Sequence, residues 1–375
     1  MKEIRALTGL RGIAALVVFL VHTRDTLESR GLTLEISTWV QRLFLMSGRQ
    51  VDIFFVLSGF VLALIYRDWF AAEVSRHSYG KFIQRRFARI YPLHAFILLL
   101  VIALVVAAHL THAHTMNGLE RFSAASLPAY FTLTQAWGVL GADPGQWNPP
   151  SWSVSIEALA YLIFPFFILC AARFLKARPW TLFLAISCCG FTLNFFIHWG
   201  LAGYAGIVRG LSEFLLGCAT ASFYGTPVAA WLQGRVGSLV AFATLVVCFL
   251  LTPDTGFIVG FCAAPLLLAL CGNNAVVKLF DNPPVFFLGE ISYSIYLGHF
   301  LFSTISYRLI SVPWMQTGPI PLFLGCCFIT AFVVGASTIT YYAVERPGRD
   351  LLRGRKKPAG RPAAALAGSG ASPGL

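Results

Sequence analysis

Arg11 and His22 stand at the two ends of an otherwise apolar run, "RGIAALVVFLVH". Eleven residues at about 100° each come within about 20° of three whole turns, so both side chains lie on one face of a helix. Along the axis they are about 16 Å apart, roughly half the thickness of a bilayer core. A guanidinium can hold an anion, and an imidazole can take a proton from a hydroxyl near neutral pH. Ionisable groups inside a span are costly and usually face a bundle interior or a wet cavity. The plainer alternative is that both side chains reach out to opposite membrane interfaces.

Three further stretches carry chemistry. In "VDIFFVLSGF", Asp52 opens a second apolar run, with Ser58 and Gly59 in its middle. Packed antiparallel to the first helix, that run brings Asp52 to the level of His22. Either Asp52 or Asp25 could then orient the imidazole by accepting a proton from one ring nitrogen. An aspartate in a first helical turn is also favoured by the helix dipole alone. In "RRFARIYPLH", Arg86 and Arg89 share a face at i and i+3, an arrangement suited to phosphate or to simple anchoring at the membrane surface. In "SWSVSIEALAYLIFPFF", Glu157 has Ser153 and Tyr161 one turn to either side. A carboxylate there needs a partner and is a functional candidate, with a structural ion pair as the bland alternative. Ser58, Ser153 and Ser155 are available nucleophiles, but none has a base beside it in sequence.

Weaker signals remain. Arg209 and Glu213, at i and i+4, read first as a structural pair. His299 in "SYSIYLGHF" reads as a packed residue. His109, His112 and His114 straddle the end of a run and do not suggest a metal site. Glu345 in "VERP" closes a helix, where the dipole disfavours an anion, so Arg346 or another basic neighbour must compensate. The nine cysteines lie in or at the ends of apolar runs without a CxxC pattern, which suggests neither a disulfide framework nor zinc.

The elements that must position these groups are membrane helices. The chain has 375 residues, of which 57% are hydrophobic and 12% charged, against about 25% charged in soluble domains. Continuous apolar runs, not alternating ones, predict an all-α, polytopic bundle of about ten spans. They fall near 7–24, 51–66, 91–109, 154–172, 180–198, 205–224, 237–252, 256–271, 290–310 and 320–342. The first run lacks a clear cleavage site and is expected to stay as a span. The net charge of +12 is gathered at 67–90, after the fourth span and in the tail, all on one side of a ten-span chain. That places both termini in the cytoplasm and makes the basic excess a membrane-sidedness signal, with no nucleic-acid partner implied. Residues 1–345 are expected to form one membrane domain. Residues 346–375 are expected to be a basic, then Pro/Gly/Ala-rich, disordered cytoplasmic tail. The apolar piece "LPAYFTLTQAW" in the external segment 110–150 is too short to span and is expected to be re-entrant or interfacial. No internal repeat is visible.

Taken in order, Arg11 to His22 (an Arg-x10-His), "VDIFFVLSGF", "RRFARIYP", "WSVSIEALAYLIFP", "SYSIYLGHF" and "YYAVERP" resemble the membrane acyltransferase-3 family, the multi-span O-acyltransferases of surface polysaccharides and related acceptors. The resemblance covers nearly the whole chain, although Ala158 and Ala160 replace polar residues often found after the family glutamate. It implies transfer of an acyl group, acetyl above all, from a cytoplasmic acyl-CoA to a hydroxyl of a glycan or glycolipid in a bacterial inner membrane. On that reading Arg86, Arg89 and Arg11 bind the donor without a metal. His22 acts as general base, oriented by Asp52 or Asp25, and Glu157 contacts the acceptor or assists proton transfer. Two alternatives stand beside it: an acyltransferase acting on a small natural product, whose protein chemistry would look the same, and a lipid or glycan transporter that does no chemistry, which leaves the ordered motifs unexplained.

Overall fold

The structure is a computed structural model, and it describes residues 3–32, 48–111, 122–138, 142–174, 178–197, 205–251, 257–310 and 312–354. The described residues are helical, with turns between and no strands. The long helices are α1 (Arg5–Glu28), α2 (Gly48–Phe70) and α3 (Arg76–Leu110), followed after a short α4 (Leu127–Phe131) by α5 (Ser151–Phe174), α6 (Pro179–Ile197) and α7 (Ala205–Ala221). The chain continues through α8 (Pro227–Gln233), α9 (Arg235–Leu251), α10 (Phe257–Ala269), α11 (Ala275–Phe280), α12 (Pro283–Glu290) and α13 (Ser292–Leu309). It closes with α14 (Val312–Met315), α15 (Pro319–Thr340), a π turn at Tyr341–Glu345 and α16 (Arg346–Leu352).

Each of the ten expected spans falls on one of these helices. By length and apolarity, six helices among the described residues can cross a membrane alone, and two bent pairs raise the number to eight. The pairs are α8–α9, bent by 81°, and α12–α13, bent by 67°. The remaining two expected spans, 205–224 and 256–271, fold as the shorter α7 and α10. The segments before them, 198–204 and 252–256, lie outside the described residues. Leu99, Leu104, Phe166, Phe195, Phe196, Phe323 and Leu324 are exposed. On helices of this apolarity such side chains form a lipid-facing surface.

Packing follows from small residues at the crossings. A Cβ on Gly59 of α2 would lie 1.9 Å from the Phe214 carbonyl oxygen, and one on Gly217 of α7 would lie 1.9 Å from that of Val56. Only glycine lets these two backbones touch. α3 starts well before its apolar stretch, on a Ser75 N-cap whose hydroxyl accepts from the Ser78 N–H. Its first turns therefore carry Arg85, Arg86 and Arg89 on a rigid helix.

The "LPAYFTLTQAW" segment folds back into the bundle. Tyr130 is fully buried, the His94 ring of α3 donates to its carbonyl at 2.9 Å, and the Trp137 indole N–H donates to Ser155 O at 2.9 Å. At the other end of the chain, residues 346–352 of the expected tail form α16, held to α3 by a Gln84 bond to Leu352 O at 2.9 Å. Residues 355–375, like His112 and His114, lie outside the described residues.

Candidate active site

α1 is pressed onto the break between α12 and α13. A Cβ on Gly12 would lie 2.4 Å from the Gly289 amide nitrogen, so the Arg11 side chain reaches that break directly. Its Nε–H donates to Ser292 Oγ at 3.0 Å and its Nη2–H to Gly289 O at 3.3 Å. These carbonyl and hydroxyl acceptors hold the guanidinium without neutralising it, which keeps its charge available to an anion.

Arg11 opens onto a cavity of about 420 Å³ enclosed by α1, α2, α3, α5 and α13. Arg11, Arg86 and Arg89 supply its cations, Glu157 and Glu3 its carboxylates, and Val51, Phe54, Leu57 and Val61 much of its apolar wall. The carboxylate of Glu157 is held from two sides: Ser58 Oγ donates to Oε1 at 2.9 Å and Tyr161 OH donates to the same atom at 2.5 Å. The sequence placed Tyr161 on the face of Glu157; the bond from Ser58, 99 residues away, needed the fold.

The two arginines of α3 that line the cavity part ways. Arg89 Nη1 lies 2.5 Å from Glu345 Oε1, and Ser294 donates to Oε2 at 2.8 Å. Glu345 is 1% exposed. Its chief partner is therefore Arg89 of a distant helix, not its neighbour Arg346, and the π turn is what swings it inward. Arg86 spends one donor on Tyr66 OH at 3.2 Å, lies 5.2 Å from the centre of the Tyr66 ring, and has a buried Nε–H that meets no acceptor among the described residues.

The expected carboxylate partners of His22 have other occupations. Asp52, fully buried, receives Arg209 on both oxygens, Nε to Oδ1 at 2.6 Å and Nη2 to Oδ2 at 2.7 Å. Arg209 reaches Glu213 only at 3.9 Å, so its principal partner is across the α2–α7 contact instead of on its own helix. Asp25 receives Arg24 at 2.6 Å. The His22 ring stacks on His299 of α13, centroids 5.3 Å apart and planes within 10°. His299 is buried, and its Nδ1–H donates to Tyr296 O at 2.7 Å. Sequence reading treated His299 as packing; its register on α13 carried no sign of the imidazole opposite.

The cavity lining on α1 runs through Ile4, Leu7, Thr8 and Arg11. Ala15, Val18 and His22, further along the helix, are not part of that lining, so the cavity does not follow α1 from Arg11 to His22. The link between them runs sideways. Tyr296 lines the cavity, its hydroxyl hydrogen-bonds Ser153 at 2.8 Å, and its ring lies 6.2 Å from that of His299. Ser155, the remaining candidate nucleophile, is buried and spends its hydroxyl on Leu133 O at 2.7 Å. An apolar-walled cavity lined by three guanidiniums and a hydrogen-bonded carboxylate suits a long, flexible, anionic ligand.

The chain is 29% identical to Acyltransferase MdmB of Streptomyces mycarofaciens, over 94% of this chain and 93% of that protein. It is 23% identical to a putative O-acetyltransferase of Staphylococcus aureus (strain COL), over 94% of this chain and 65% of that one. It is also 23% identical to the putative peptidoglycan O-acetyltransferase YrhL of Bacillus subtilis (strain 168), of which it spans 55%. No solved structure matches it. The family profile described as an acyltransferase domain matches residues 4–341. That match takes in every helix bordering the cavity, and the chain belongs to the acyltransferase-3 family.

Proposed function

We propose that this protein is a multi-pass O-acyltransferase of a bacterial inner membrane. It moves an acyl group, acetyl in the first instance, from cytoplasmic acyl-CoA to a hydroxyl of a carbohydrate such as an exopolysaccharide or lipopolysaccharide unit. On this reading residues 1–345 form the membrane domain with ten spans and both termini in the cytoplasm, and the chain continues from 346 as a cytoplasmic extension. The observation that carries the proposal is the cavity itself: guanidiniums of Arg11, Arg86 and Arg89 gathered at the end where α1 and α3 begin. The named activity of the Bacillus subtilis relative supports a carbohydrate acceptor. Family membership speaks against transport without chemistry.

The donor is an anion with a thioester on a long arm. Arg86 and Arg89 would meet its phosphates, Arg89 with the donors it does not spend on Glu345, and Arg11 would hold the arm further in. The acceptor hydroxyl oxygen attacks the thioester carbonyl carbon and the C–S bond breaks to release the CoA thiolate; the hydroxyl proton is assigned to the His22 imidazole, which lies outside the cavity lining, so the reacting thioester has to extend beyond that lining to meet it. His22 needs a fixed ring plane for this. His299 supplies it by stacking, in place of the carboxylate expected from the sequence. Glu157, held by Ser58 and Tyr161, faces the cavity as an acceptor for a substrate hydroxyl or amide.

Labelled acetyl-CoA added to inverted membrane vesicles should label a glycan acceptor. The His22→Ala protein, present at the same level and with unchanged unfolding temperature, should transfer at least about a hundredfold more slowly. Equal transfer by the two proteins removes His22 from the mechanism; no labelled ester with either one removes the function.

A further inference from the structure

Two arginine Nε–H groups near the cavity's charged end are buried and, among the described residues, meet no acceptor: those of Arg86 and Arg353. Buried donors are almost always paired, so two orphans close together point to a partner that is not protein. Arg353 caps α16, and the Gln84–Leu352 bond fixes that helix end one residue from Arg353 and two from Arg86 on α3. Gly348 sits so tightly on α3 that a Cβ there would lie 2.6 Å from Pro92 Cβ. The two forks are thus held on rigid, mutually packed helices. The buried carboxylate of Glu345 is already shared by Arg89 and, at 4.0 Å, Arg349. Partial burial, and then the repulsion of Arg86, Arg349 and Arg89, lower the Arg353 guanidinium to about 10. A cation depressed in this way gains from any anion that joins the cluster.

We propose that Arg353 and Arg86 form a phosphoryl-binding site at the rim of the cavity, and that its occupant is a phosphate of the acyl donor's nucleotide. Arg353 does not line the cavity, so it would grip the head of the donor while the acyl arm lies inside. The identity of the donor rests on the acyl-CoA reading above; the phosphoryl chemistry does not, and the head group of an anionic lipid offers the same group.

The test uses the full-length protein in nanodiscs of phosphatidylcholine, titrated calorimetrically with CoA. A parallel arm measures retention of phosphatidylglycerol by native mass spectrometry. Arg353→Gln should weaken CoA binding about tenfold, the loss of one charge-assisted contact, and Arg353→Lys should recover part of it. Loss of phosphatidylglycerol with CoA affinity intact keeps the site but assigns it to lipid, overturning the donor assignment. No change in either arm overturns the site. Wild-type protein that binds no CoA defeats the acyl-CoA reading, and the lipid arm alone then decides the site. If Arg353→Gln does not fold, Arg353→Lys is compared with wild type, and equal affinity in both arms counts against the proposal.

Discussion

Replacing Arg89 by methionine should destabilise the protein strongly, and removing the carboxylate opposite should undo the damage. Glu345 is 1% exposed, Arg89 is 18% exposed, and their closest atoms are 2.5 Å apart. With charge centres about 4 Å apart and an effective dielectric of about 20, the attraction is ~4 kcal/mol. That agrees with the ~3–5 kcal/mol expected when one member of a buried pair is removed. Arg349, 4.0 Å from the same oxygen, would compensate in part, which places Arg89→Met near the lower figure, about 3 kcal/mol. In the double variant Arg89→Met/Glu345→Gln no charge is stranded, and the Ser294 bond can persist. Its stability should return to within about 1 kcal/mol of wild type. Unfolding in detergent, followed by tryptophan fluorescence, measures all three proteins. A single variant as stable as wild type, or a double variant as unstable as the single, would falsify the idea that the pair is a buried structural clamp. The double variant also separates two roles of Arg89: if it folds well yet binds CoA more weakly, the remaining guanidinium donors serve the donor molecule.

Other consequences follow from the same geometry. Arg209→Met should lower stability by roughly 3–5 kcal/mol because the buried Asp52 carboxylate loses its guanidinium partner, and Asp52→Asn in the same chain should restore most of it; independence of the two changes in a double-mutant cycle would contradict the pairing. Gly217→Ala should cost at least about 3 kcal/mol, since its Cβ meets backbone and not a side-chain tip that could move aside; wild-type stability would mean the α2–α7 crossing is looser than described. Tyr161→Phe removes one of two donors to Glu157 and should slow transfer about tenfold with little change in CoA affinity; a fall in CoA affinity alone would place Glu157 on the donor's side of the reaction. His299→Phe, which keeps a stacked ring, should retain more activity than His299→Ala at matched expression; the reverse order would show that stacking does not hold His22.

How much of this was legible in the sequence depends on the range of the interaction. Apolar runs located the long helices because a bilayer imposes one length scale on helices that cross it, although only six of them, or eight with the bent pairs, are long and apolar enough to span among the described residues. The shared face of Ser153, Glu157 and Tyr161 was legible for the same local reason. Partners on other helices were not. Asp52 and His22 were matched by depth alone, and depth cannot say which neighbours touch: α7 brought Arg209 to Asp52, while α13 brought His299 to His22. Arg209 and Glu213 obeyed the i,i+4 rule, yet the closer carboxylate came from another helix. Glu345 was flagged as an anion at an unfavourable helix end, but only the π turn and the start of α3 show that Arg89 answers it. The breaks at 234 and 291 went unseen because the short helices before them, α8 and α12, precede the apolar runs 237–252 and 290–310 that marked the spans.

The most direct test of the central claim is a cryo-electron microscopy structure with a non-hydrolysable acetyl-CoA analogue. The account predicts the acyl arm in the cavity beside Arg11 and Ser58, with the nucleotide at Arg86 and Arg353. A nucleotide bound at the opposite end of the bundle, or a cavity filled by lipid chains while the analogue sits elsewhere, would contradict it.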